Sequence, residues 1–134
     1  KVSELGLVPL IHTNAESNLE AVWRLERLAL EFPELTFVSM DALTTNTNSQ
    51  LALDIAKRTK NIIFDTAHVR GPAYVKSFVE AVGSERLIFG SLFYSTPPSY
   101  EHCATLAEIK AAKISDADKA NILAGNAKRL FKLA

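Results

Sequence analysis

Cysteine occurs once in these 134 residues, at Cys103, so no internal disulfide can staple the chain. A reducing, cytoplasmic setting is the expectation that follows. An excess of either charge is also missing, because fifteen Lys and Arg offset fifteen Asp and Glu. That balance gives no support to a nucleic-acid partner or an anionic membrane surface, each of which usually leaves a basic excess. No apolar run approaches the ~20 residues needed to cross a bilayer. The opening Lys1-Val2-Ser3-Glu4 has no signal-peptide pattern. With no initiating Met, a trimmed or excerpted chain is expected. There is no low-complexity stretch, no clear internal repeat and no linker, which leaves a single domain over residues 1–134. At 48% apolar and 22% charged, that domain is ordinary for a soluble globular protein with a real core.

Four strand-then-helix units can be read in order. The strands are Leu7–Thr13, Leu35–Met40, Asn61–Thr66 and Leu87–Gly90, and they start 26 to 28 residues apart. The first helix is expected to begin near Ser17, with Glu20 completing a capping box, and to stop at Pro33. Thr47, with Gln50, is expected to cap the second helix. Pro72 and Gly83 frame a third, from Pro72 to Val82. A fourth runs from about Ser99 to Ala112. Ser115 caps a last helical segment, which Gly125-Asn126 is expected to break in two, Asn126 capping the second part. Trp23, Phe32, Phe37, Phe64, Phe78, Phe89 and Phe131 follow this pattern as core residues.

Strands alternating with helices predict an α/β fold with a parallel sheet. Two architectures satisfy the pattern. One is a small open sheet, which normally announces a phosphate site with glycines after its first strand. Here that strand runs into His12-Thr13-Asn14-Ala15, with no glycine. The other is half of an eight-stranded barrel, the whole of which needs about 250 residues. The missing glycines favour the half-barrel.

Several side chains carry possible chemistry. His12 ends an apolar strand, at the edge where a barrel places its active site; it is a metal or substrate ligand, or a hydrogen-bonded strand-end residue. Asp65 lies inside an apolar strand and needs a partner, for which Arg86 or Arg70 is expected. His68 follows that strand, as a substrate contact or a solvated loop residue. His102 and Cys103 are adjacent, but neighbours on a helix point roughly 100° apart, so they do not read as a catalytic pair. Lys128, Arg129 and Lys132 read as a solvated helix end.

The phrase Arg86-Leu87-Ile88-Phe89-Gly90-Ser91-Leu92-Phe93-Tyr94 and the tail Ile122-Leu123-Ala124-Gly125-Asn126-Ala127-Lys128-Arg129-Leu130-Phe131 resemble the closing strand and helix of amidohydrolases. Leu7–Thr13, Phe32–Val38 and Asn61–Thr66 resemble that family's barrel strands five, six and seven. The resemblance implies parallel βα units equivalent to strands five to eight of a TIM barrel. It also implies a single divalent metal, zinc first among the choices, at the mouth of the barrel. Such a metal activates water in hydrolysis, and some relatives use the site for non-oxidative decarboxylation. Within that pattern His12 takes the place of the strand-five ligand. Asp41 stands at the strand-six His position, as a substitute ligand or a turn former. The strand-eight Asp, a ligand and proton shuttle in the family, is replaced by Leu92, which can do neither. Tyr94 stands where the family prefers Pro.

The expected function is therefore a metal-dependent hydrolase or decarboxylase of a small organic molecule with a damaged metal site, its catalytic residues unassigned. The alternatives are a non-catalytic amidohydrolase-like protein kept for binding or assembly and, more remotely, an open-sheet ligand-binding module. Two bare sheet edges imply completion by another half-barrel, by further residues of the same gene product, or by a second copy.

Overall fold

A computed structural model describes residues 1–14, 17–69, 71–91 and 103–134. The strands are β1 (Leu10–His12), β2 (Phe37–Met40), β3 (Ile62–Asp65) and β4 (Leu87–Ile88). The helices are α1 (Val22–Glu31), α2 (Asn46–Arg58), α3 (Pro72–Val82), α4 (Ala104–Ala111), α5 (Asp116–Ala120) and α6 (Asn126–Phe131). All strand pairs are parallel and the sheet order is β1-β2-β3-β4. An open doubly wound sheet reverses direction from its first strands. This order does not reverse, and each unit is laid beside the one before it, as in a TIM barrel.

The two-residue period of a strand sorts the sheet into two faces. Ile11, Phe37, Ile62, Phe64 and Leu87 face the helices, where they join Val22, Leu25, Ile55, Val75, Phe78 and Ile109 in one core. Phe64 and Phe78 meet edge to face with ring centroids 5.7 Å apart. The register pairs His12 with Met40, Val38 with Ile63 and Asp65 with Ile88. These residues, with Leu10, make up the other face. Leu10 is 52% exposed there, although a barrel would bury it.

Several local expectations are met and several are corrected. Pro72 opens α3 and Gly83 closes it at φ 91°, a conformation costly for any residue with a Cβ. Ser115 caps α5 by accepting the Asp118 N–H. α2 starts two residues early, because Thr45 rather than Thr47 accepts the Asn48 N–H, and Gln50 reaches Asp54 instead of closing a box. α1 starts at Val22, not Ser17. The Ser17 hydroxyl and carbonyl are used in a separate turn, by Leu19 and Glu20 respectively, and the Glu20 carboxylate goes to His12.

Asn126 caps nothing. The chain passes from α5 into α6 through a π-turn at Asn121–Gly125, while the Asn126 amide donates to the carbonyls of Ser84 and Leu87, 2.7 Å from each. The described part of the Ser99–Ala112 helix is α4, with Cys103 at its N-cap; His102 lies outside the described residues. The aromatic core is smaller than expected. Phe37, Phe64 and Phe78 are buried and Phe89 packs against the core, but Trp23 is 41% exposed, and Phe32 and Phe131 are exposed as well.

Arg86 does not pair with Asp65. It sits just before β4, buried, and donates to the carbonyls of Ile62, Thr59 and Ala56. Asp65 ends β3 three residues beyond Ile62, about 10 Å along the strand. The other expected partner, Arg70, lies outside the described residues. No helix among the described residues is long and apolar enough to cross a membrane.

Candidate functional site

The polar cluster lies at the C-terminal ends of β1, β2 and β3. Thr13, just past β1, donates its N–H and its hydroxyl to the Met40 carbonyl, at 2.8 Å each, and its Oγ1 lies 2.7 Å from the Ser39 hydroxyl. These bonds lock the end of β1 against the end of β2. His12 and Asp41 are thereby held side by side, with His12 Nε2 3.1 Å from Asp41 Oδ2. On its other side, His12 Nδ1 lies 3.2 Å from Glu20 Oε2. His68, in the loop after β3, places Nε2 3.7 Å from Asp41 Oδ1. The structure thus brings together the three residues singled out in the sequence, His12, Asp41 and His68. Leu92 lies outside the described residues.

Asp41 follows the last residue of β2 at φ 62°. This left-handed conformation is uncommon for a residue with a Cβ, though Asp tolerates it better than most. It allows the Asp41 N–H to donate to Asp65 Oδ1 at 3.0 Å. Asp65 is 8% exposed, and burial pushes its carboxyl up to about 6; the Asp41 charge adds to the rise, while the N–H groups of Asp41 and Ala67 and the charge of His12 oppose it. Gly90 leaves the space that Asp65 fills: a Cβ there would lie 2.9 Å from Asp65 Oδ2.

Glu20 and Asp65 are the site residues that sequence reasoning missed. Glu20 read as a capping residue and Asp65 as half of an ion pair. The signal for Asp65 was its parity: it shares the inner face with Ile63 and stands at the strand's C-terminal end, where barrel sites are built.

The donor geometry can be tested against a cation. Two ligands each about 2.1 Å from one metal ion stand about 3.0–3.4 Å apart, and His12 Nε2 and Asp41 Oδ2 meet that spacing. With Nδ1–H directed at Glu20, the Nε2 lone pair of a neutral ring would face a carboxylate. A proton on Nε2 or a shared cation removes that conflict. Among the described residues no group of three or more His, Cys, Asp or Glu side chains forms a metal cage. The His12–Asp41 pair has the spacing of two neighbouring donors and is not a complete site among the described residues.

The fold has close counterparts. A TIM-barrel protein of Bordetella bronchiseptica matches 98% of this chain with 48% of its own, at TM-score 0.69 and 20% identity. The 5-carboxyvanillate decarboxylase of Sphingomonas paucimobilis matches 99% with 51% of its own, at 0.67 and 18%. A dihydroxybenzoic acid decarboxylase of Polaromonas, solved with bound manganese and an inhibitor, matches 86% with 40% of its own, at 0.58 and 19%. The chain spans about half the length of the first two structures, and the class is that of parallel βα units from a TIM barrel. No curated protein sequence matches it. The amidohydrolase family model Amidohydro_2 matches residues 1–133, and the chain belongs to that family.

Proposed function

We propose that this chain contributes one side of the active site of a metal-dependent hydrolase or non-oxidative decarboxylase of a small organic molecule. The observation that carries the reading is the pair His12 Nε2 and Asp41 Oδ2, 3.1 Å apart at the C-terminal ends of two adjacent strands, with the second His12 nitrogen anchored by Glu20. His12 and Asp41 would hold a divalent metal, with zinc the first choice from the sequence; the manganese in the Polaromonas structure supports a divalent ion in general. When bound, such an ion supplies Lewis acidity toward water or a substrate oxygen.

The chain's own residues do the rest. Glu20 fixes the His12 ring with Nε2 toward Asp41. His68 stands beside Asp41 Oδ1, within reach of a molecule entering the mouth, and is assigned to substrate. The remaining ligands come from outside the described residues, including the half-barrel that the β1 edge, where Leu10 is exposed, would receive. That half is another polypeptide, more of the same gene product, or a second copy.

Elemental analysis of the purified full-length protein tests the reading. A stoichiometric divalent metal that disappears in His12→Ala supports it, and metal-free protein sinks it. The second reading, a non-catalytic relative, is favoured by one observation: Leu92 stands where the resemblance puts the proton shuttle. Losing a general base costs about 10²–10⁴-fold in rate. Leu92→Asp should therefore raise turnover of carboxylate, lactone or amide substrates if only the shuttle was lost, and should do nothing in a protein kept for binding.

A further inference from the structure

We infer that Asp65 is a positioning residue for Asp41, a role the sequence does not announce. The inference rests on the reading of Asp41 as a cation-facing carboxylate. Three observations carry it. Asp65 Oδ1 accepts the Asp41 N–H at 3.0 Å from a buried position on the neighbouring strand. Asp41 holds φ 62°, a conformation that needs support from its surroundings when the residue has a side chain. The two Asp41 oxygens are divided between two imidazoles, Oδ2 toward His12 at 3.1 Å and Oδ1 toward His68 at 3.7 Å.

The hydrogen bond from Asp65 fixes the peptide of Asp41, and the peptide fixes where the carboxylate points. Without that acceptor the Asp41 N–H loses a buried hydrogen bond, and less holds the backbone in the left-handed region. The carboxylate would then swing away from His12. Asp65 touches neither imidazole in this arrangement; it acts through Asp41.

Gly90 belongs to the same device. Its N–H donates to Thr66 Oγ1 at 3.1 Å, which draws β4 toward the end of β3. A Cβ there would stand 2.9 Å from Asp65 Oδ2 and 3.2 Å from the Ala67 nitrogen, so the Asp65 carboxylate would have to shift. The aim of a carboxylate just past β2 thus depends on an acceptor on β3 and on a missing side chain just beyond β4.

The test is titration of the full-length protein with Mn²⁺ alone, followed by the electron paramagnetic resonance of the free ion, for the native protein, Asp41→Ala, Asp65→Ala, Asp65→Asn and Gly90→Ala. The ¹⁵N shift of His12 Nε2 in the metal-free proteins is the second readout. Outer-shell partners are worth about 10–100-fold in metal affinity. Asp65→Ala is expected to lose that much and to shift His12 Nε2. Asp65→Asn keeps a carbonyl acceptor for the Asp41 N–H and should stay close to native. Gly90→Ala should weaken binding by displacing the carboxylate. If Asp65→Ala does not fold, Gly90→Ala against Asp65→Asn makes the same comparison. A metal affinity lost in Asp41→Ala but untouched in Asp65→Ala, or lost equally in Asp65→Asn, overturns the inference and leaves the site standing. No Mn²⁺ binding by the native protein, or none lost in Asp41→Ala, overturns the site and the inference with it.

Discussion

Glu20 Oε2 lies 3.2 Å from His12 Nδ1, so a residue between β1 and α1 sets which nitrogen of the imidazole faces Asp41. Glu20→Ala should release the ring. The expected result is a mixture of His12 tautomers by ¹⁵N NMR, with a thermal midpoint near native, because both partners are about half exposed and such pairs contribute little to stability. A single unchanged tautomer would show that the ring is oriented by something else.

Phe78 fills the space between α3 and β3 and meets Phe64 edge to face. Phe78→Ala removes a fully buried ring and leaves a cavity. The expected loss is about 3–5 kcal/mol in urea denaturation. A loss under about 1 kcal/mol would mean that the helix layer collapses onto the gap.

The Asn126 amide ties the final helix to the start of β4 through two carbonyls. Asn126→Asp keeps the shape but removes both donors and sets a carboxylate against two carbonyl oxygens. We expect it to cost roughly 2–4 kcal/mol, more than Asn126→Ala. The order of the two variants in chemical denaturation decides whether the amide is a tether or filler.

Ser115 caps α5, and its hydroxyl, helped by Ser84, holds the Asp118 carboxyl below the usual carboxylate range. A depressed folded value means that the stabilisation is present above the ordinary carboxylate pKa and is lost as pH falls through the folded value. Ser115→Ala should cost about 1 kcal/mol at neutral pH. The difference between variant and native protein should narrow below about pH 4, modestly, since the carboxylate is exposed and screened. Denaturation midpoints measured from pH 7 to pH 2.5 check both parts.

Leu10 is the most exposed apolar residue of the inner sheet face. Leu10→Glu should barely change the thermal midpoint of the chain by itself. It should weaken association with whatever completes the barrel, because a carboxylate would then be buried in the closed interior. Sedimentation velocity of the two proteins should separate them, and identical profiles would argue against closure over this face.

The order and spacing of the elements were legible, because alternating strands and helices leave two distinct apolar periods in a sequence. That His12, Asp41 and His68 share one end of the sheet was legible too, each at or just beyond the end of a strand. What escaped was which partner a polar group would choose. Ser17 and Glu20 satisfy the capping pattern, yet Glu20 is taken by an imidazole that the sheet brings near it. Arg86 and Asp65 look like an ion pair until the strand separates them by its length. Asn126 looks like a cap until β4 offers two carbonyls. In each case a contact across the fold outweighed a local motif, and no periodicity records such contacts. The left-handed turn at Asp41 was equally silent, since Asp is common in ordinary turns.

Neighbours in this sheet are also neighbours in the chain. His12, Glu20, Asp41, Asp65 and His68 are therefore encoded in one uninterrupted stretch of fewer than sixty residues, and Gly90 reaches in from further on. The cluster travels as a cassette. A chain break or circular permutation placed after His68 would carry these five residues together to a new context, whereas one between β1 and β2 would divide them.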